Sequence, residues 1–354
     1  GIMNNSIKQT QLILLMVLVI AGGKFLSLPG LMAQFAGRDS WISMTLLFVI
    51  DLVCLCFVLW AIKLNKGKQL NEILTDTLSP VGAKIIFAIY AAFFILRIMG
   101  GLIDTMDLVL SSLSVVTNWI AFIVPMLIVI GFNVLKGARN VGRLAQIFFF
   151  FIFISVLLIL FLSYKHADFS NLQPYVADGF GVVAKGALNA SFWFSDCVFL
   201  VFLMGSVTTN KLFGIKISGA FVFGAILTVM LDIVFLSLFG MLAQYSTSAL
   251  AKVSGFNLTS SSYGRLDWIF VVIWLSSIVI KSILFLWAST MSISYIFNVK
   301  SKKGYAIIYG VICLAFIVMP LILPLETFID DFICQGVGKY FFFSVQYLIP
   351  LLLP

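Results

Sequence analysis

The sequence predicts an all-α integral membrane protein of about ten transmembrane helices, with the first and sixth helices broken near mid-membrane. Three observations carry that prediction. Hydrophobic residues are 62% and charged residues 10% of the 354, against roughly 45–50% and about 25% in soluble domains, which leaves too little polar surface to coat a soluble sphere. Apolar runs of about 18 residues or more recur along the chain, and about 20 helical residues cross a bilayer core. Two of those runs are interrupted midway by glycine, polar and ionisable residues. The unbroken length of the others excludes a β-barrel, whose strands alternate over about ten residues. Helices also satisfy their own backbone hydrogen bonds in lipid.

The runs place spans at about 11–35, 41–62, 81–112, 117–135, 142–163, 182–206, 214–244, 265–298, 304–321 and 335–353. The chain reads as a single transmembrane domain over 1–354, with a first repeat at about 11–163 and a second at about 182–353. Polar connectors at 63–68 and 75–80, 165–181, 244–264 and 323–331 separate the runs. With the N-terminus inside, thirteen Lys and Arg fall in cytoplasmic segments and six in outer ones. That asymmetry predicts cytoplasmic N- and C-termini. The net charge of +8 therefore belongs to loops at the membrane and gives no reason to expect nucleic acid. The 36 Phe suit a surface that faces membrane lipid.

The five cysteines and the single His166 lack zinc-ligand spacing. His166, between Lys165 and Asp168 of an outer loop, reads as solvated. No Walker A, G-x-S-x-G or HExxH pattern occurs, so no enzyme chemistry, cofactor or metal is expected. Asn257 to Thr259 matches a glycosylation sequon, a pattern short enough to arise by chance. The N-terminal run has no small-residue cleavage site and reads as a span, not a signal peptide. Gly1 and Ile2 ahead of Met3 read as a processing remnant.

Eight charges fall within the spans: Lys24, Arg97, Lys281, Asp51, Asp104, Asp107, Asp196 and Asp232. Each costs at least ~2.5–3.5 kcal/mol at membrane depth and needs a partner or a wet cavity. In the first span Gly22, Gly23 and Lys24 are followed by Pro29 and Gly30. One reading is an unwound stretch whose free backbone groups bind a ligand; the other is a packing patch with a kink. The sixth span carries Asn189, Ser191, Ser195 and Asp196, and its position suggests a five-plus-five inverted repeat. In the third span Arg97, Gly100 and Asp104 share a face, with Gly101 and Asp107 nearby. They form either a structural ion pair or a hydrophilic path or ligand contact. Trp274, Ser277 and Lys281 make a stripe on the eighth span. Lys281 either pairs with an acid of the third span or stands in for a bound cation. Asp51 and Asp232 have no partner visible in the sequence.

Several stretches resemble a known family. They are Gly23 to Gly30 followed by Asp39-Ser40-Trp41, the basic loop from Lys136 to Gln146, and Leu172 to Gly179 leading to Gly186 and Ser191 to Asp196. Gly264 to Asp267 with Trp274 and Lys281 completes the set. The chain resembles the B subunits of spore nutrient-germinant receptors, the GerAB-type spore germination proteins, of the amino acid–polyamine–organocation superfamily. The likeness runs from about residue 9 to 321. It implies ten helices in the leucine-transporter arrangement and a small amino-acid-like nutrient held between helices 1, 3, 6 and 8. It also implies A and C partner subunits and the spore inner membrane, with ligand binding triggering release of ions and dipicolinate.

The site residues expected on this basis are Ala21, Gly22, Gly23, Lys24, Phe25, Gly100, Asp104, Phe194, Ser195, Asp196, Lys281 and Phe285. A buried charge network of Arg97, Asp104, Asp107 and Lys281 is expected beside them. Ser195-Asp196 stands where the family usually has Gly-Glu, and Lys24 where it has small or apolar residues. Three readings of Lys24 stay open: it pairs with Asp196 in place of a ligand ammonium, it binds a ligand carboxylate, or it snorkels to water. Three functions also stay open: a nutrient sensor, a proton- or ion-coupled amino acid transporter, and a scaffold with a vestigial cavity.

Overall fold

Glycine and proline punctuation divides the chain. The computed structural model describes residues 7–65, 67–113, 118–205, 207, 210–246, 249–258, 267–322 and 327–351. Lys66, Thr259, Gly264, Arg265, Pro324 and Glu326, which enter the sequence reading, lie outside the described residues.

The first span has two pieces. α1 (Gln9–Ala21) closes at Gly22, whose N–H donates to Leu18 O at 2.6 Å. Gly23 then takes φ +79°, a left-handed turn that glycine adopts without steric cost. α2 (Leu28–Ala36) restarts with Pro29 in its first turn, where a missing N–H leaves no hydrogen bond unmade. The second span is α3 (Ser40–Leu64). α4 (Leu70–Leu78) is a short helix inside what the sequence reads as a connector; it buries Leu70, Ile73 and Leu74 on one face.

The third, fourth and fifth spans are α5 (Pro80–Leu113), α6 (Trp119–Val134) and α7 (Ala138–Tyr164). The sixth is again in pieces: α8 (Phe180–Ala190), two tight turns through Val198, and the single turn α9 (Phe199–Phe202). α10 (Phe213–Phe239) is the seventh. It stops short of the predicted 244 because Gly240, at φ +50°, turns the chain. After α11 (Ala249–Leu258) come the eighth span α12 (Asp267–Ile296) and the ninth α13 (Lys302–Ile322). The tenth begins earlier than predicted, with a π-helical Phe328–Cys334. It continues through α14 (Gly338–Phe343), a π-helical Ser344–Leu348 and α15 (Ile349–Leu351).

Among the described residues, six helical stretches are long and apolar enough to cross a membrane by themselves. The first, sixth and tenth spans are assembled from shorter pieces, and the fourth is a short apolar helix. The eighth span runs along the third, and the first packs against the fifth, seventh and eighth. These contacts put both breaks at the centre of the bundle. On the ninth span Ile307, Val311, Leu314 and Val318 share an exposed face, as expected of a helix that meets lipid.

Close packing of α2 depends on Gly30, because a methyl there would overlap the carbonyl oxygen of Ser246. Gly30→Ala is expected to destabilise the protein by about 1–3 kcal/mol. Gly214→Ala, at a position with nothing within 4 Å, is expected to be neutral. Thermal unfolding of the detergent-solubilised protein compares the two; equal melting points would refute the packing argument.

Candidate functional site

The two breaks meet at one carboxylate. Asp196 begins the turn after the interruption of the sixth span and is 1% exposed. Its Oδ1 accepts from Arg97 of the third span. Its Oδ2 accepts from Lys24 of the first-span break and, at 2.9 Å, from Lys281 of the eighth span. Lys24 and Arg97 are 2% and 4% exposed, while the Lys281 side chain reaches 13%. Four charges from four spans thus share one water-poor volume, where a carboxylate with three donors keeps the cations from being orphaned. Aromatic faces complete the cage. Lys24 Nζ lies 5.3 Å from the Phe194 ring, Arg97 5.3 Å from Phe192 and Lys281 5.5 Å from Phe285.

The same cations serve the broken backbone. A helix end leaves carbonyls without partners, and lipid offers them none. Lys24 Nζ donates to Ile20 O at 3.0 Å, at the end of α1. Arg97 donates to Phe192 O and, at 3.1 Å, to Trp193 O. Gln346 Nε2 of the tenth span donates to Phe194 O at 3.3 Å. On the far side of the sixth break, the Ser195 N–H donates to Asp51 Oδ2 at 2.7 Å. Tyr347 Oη donates to Asp51 Oδ1 at 2.6 Å. Ser195 sits at φ +58°, a left-handed conformation that strains a residue with a side chain.

A narrow cleft adjoins this cluster; its wall includes Gly23, Lys24, Arg97, Gly101, Asp104, Trp193, Lys281 and Phe285. It is bounded by the first, third, sixth and eighth spans. A family model for "Spore germination protein" matches residues 6–322. The chain belongs to that spore germination protein family. Spore germination protein XB of Bacillus anthracis is 22% identical over 200 residues, which cover 56% of this chain and 54% of that protein. The putative spore germination protein YfkT of Bacillus subtilis (strain 168) is 28% identical over 152 residues, 41% of this chain and 40% of that one. The chain spans about half or less of these curated relatives. Among solved structures, the crystal structure of MhsT in complex with L-phenylalanine matches with a TM-score of 0.65. The match covers 99% of this chain and 98% of that one at 11% identity. It establishes a leucine-transporter-like fold with the first and sixth helices broken.

In this spore germination protein the expected site residues divide among three surroundings. Gly23, Lys24, Asp104, Lys281 and Phe285 line the cleft, and Asp196 anchors it from behind. Phe194 and Ser195 turn towards the second and tenth spans, where Phe194 packs on Phe48 at 4.9 Å. Ala21, Gly22 and Phe25 line a separate apolar pocket with Phe149, Phe153 and Leu227 of the fifth and seventh spans. Gly100 lets the third span approach the Phe192 and Trp193 rings, and Asp107, three residues beyond Asp104, is half-buried. Arg97 and Lys281, expected in one network with Asp104 and Asp107, both reach Asp196. Lys24 pairs with Asp196 and does not snorkel. Gln346 and Tyr347 escaped the sequence reading; two adjacent polar residues in an otherwise apolar final run were the available signal. Asp232 accepts from Ser40 Oγ at 3.2 Å, well away from the cluster.

Removing the carboxylate leaves buried cations uncompensated, which costs about 3–5 kcal/mol. Asp196→Asn is therefore expected to lower the melting temperature sharply. Adding Lys24→Met should recover part of the loss, so a double-mutant cycle with no coupling between the two would disprove the pairing. Ser195→Gly is expected to stay within about 1 kcal/mol of the parent. Ser195→Val, β-branched at positive φ, should lose about 1–3 kcal/mol. The same melting assay orders them.

Proposed function

We propose that this protein is the nutrient-sensing B-type subunit of a spore germinant receptor, which binds a small amino-acid-like ligand at the interrupted first and sixth helices. The observation that carries this reading is the cleft between spans 1, 3, 6 and 8, walled by Lys24 of the first break and Trp193 of the sixth with Asp196 behind them, in a chain of the spore germination family. The ligand would act by population shift. It would favour one arrangement of the broken helices by its differential affinity for the two arrangements, and A and C partner subunits in the spore inner membrane would feel the change. Its polar groups would compete for the ion pairs of Asp196, whose three partners come from three other spans. Any rearrangement there is shared among helices 1, 3, 6 and 8.

The alternative is a proton- or ion-coupled amino acid transporter of the same fold, favoured by the likeness to MhsT in complex with L-phenylalanine. Three cations already at Asp196 oppose binding of a coupling metal cation at that point, since like charges repel strongly in a low-dielectric interior. That weighs against coupling by a metal cation at Asp196 and leaves proton coupling to the uptake assay.

Two measurements separate the readings. Spores lacking this gene, tested nutrient by nutrient, are expected to lose response to at least one amino acid. An unchanged response to every nutrient would refute the sensor. Purified protein in proteoliposomes is expected to take up no labelled amino acid above background, and gradient-dependent uptake would put the transporter first.

A further inference from the structure

The hydrogen-bond inventory of the cleft is lopsided. Its acceptors are committed. Both oxygens of Asp196 are taken by Arg97, Lys24 and Lys281. Ile20 O takes Lys24, and the Trp193 carbonyl takes Arg97. Asp104, the other carboxylate on the wall, is already engaged. A ligand ammonium arriving at Asp196 would compete for those acceptors and meet three cations.

Its donors are in surplus. Arg97 Nε and Trp193 Nε1 are buried without a hydrogen-bond partner among the described residues, and both residues stand on the cleft wall. Lys281 Nζ carries three N–H bonds and shares its acceptor, Asp196 Oδ2, with Lys24. It is also the most exposed of the three cations. A buried donor left unpaired is destabilising, so this wall favours a ligand that brings acceptors. Ile98, Ile278 and Phe285 supply apolar surface beside them.

We infer that the cleft recognises a small carboxylate through Lys281 and Arg97, and that the ligand needs no ammonium group because Lys24 already occupies Asp196. This rests on the cleft being the ligand site and names the chemistry that site selects. A guanidinium and an ammonium at one wall suit an anionic carboxylate, with the apolar residues covering the remainder. A 2-hydroxy acid would then serve as well as the matching amino acid, and an amino acid amide would not.

The test is isothermal titration of the full chain in detergent at neutral pH. The probes are L-alanine, L-lactate and L-alaninamide, then L-phenylalanine, L-phenyllactate and L-phenylalaninamide. In at least one set the amino acid and hydroxy acid are expected to bind within tenfold of each other, with the amide at least tenfold weaker. Lys281→Gln should erase that preference. Lys281→Arg, which keeps the charge, should retain it and guards against a variant that fails to fold. An amide that binds as well as its acid, or a hydroxy acid that fails where the amino acid binds, overturns the inference and leaves the cleft as a ligand site. If none of the six binds, both readings fall.

Discussion

Asp196 is one carboxylate holding cations from three other spans. In a membrane interior each of those cations would be costly alone. Gathered on one anion they become a junction that ties the first, third, sixth and eighth spans together. The junction depends on the sixth helix being broken, because only the turn at Ser195 points Asp196 into the bundle. The break in turn depends on the junction, since Arg97 caps the carbonyls that the interruption frees. Charge pairing and backbone satisfaction are here the same interaction, viewed from the side chain or from the main chain.

This explains why the second and tenth spans matter to a site they do not line. Asp51, Gln346 and Tyr347 hold the outer face of the sixth break while the cations hold its inner face. The π-helical Ser344–Leu348 puts Gln346 and Tyr347 side by side against it, and π-bulges recur at functional positions in helices. On the proposed reading, a ligand that loosens the inner contacts would act on a segment still held from outside, and the resulting motion would be shared among packed helices and not absorbed by one loop.

Much of the architecture was legible in the sequence because lipid imposes a single rule on every span: enough apolar residues to cross, with all backbone groups paired. The breaks were legible for the same reason, since Gly22, Gly23 and Ser195-Asp196 violate that rule. α4 was less legible, because a short amphipathic helix beside a polar loop carries a weak apolar signal. The start of the tenth span was misplaced because acidic residues at 330 and 331 read as loop, although Ile329 and Ile333 bury against the bundle.

The sequence by itself determined the class of protein, the interrupted spans and the eight residues whose charges had to be accommodated. It did so because hydropathy and helix-breaking are properties of short stretches. Only the tertiary structure decided who pairs with whom. Arg97 and Asp104 share a helical face, yet Arg97 reaches Asp196, 99 positions away. Lys24, which could have snorkelled to water, is buried against Asp196 by the geometry of the opposing break. Such pairings depend on which helix faces lie against each other, and local sequence carries no record of that.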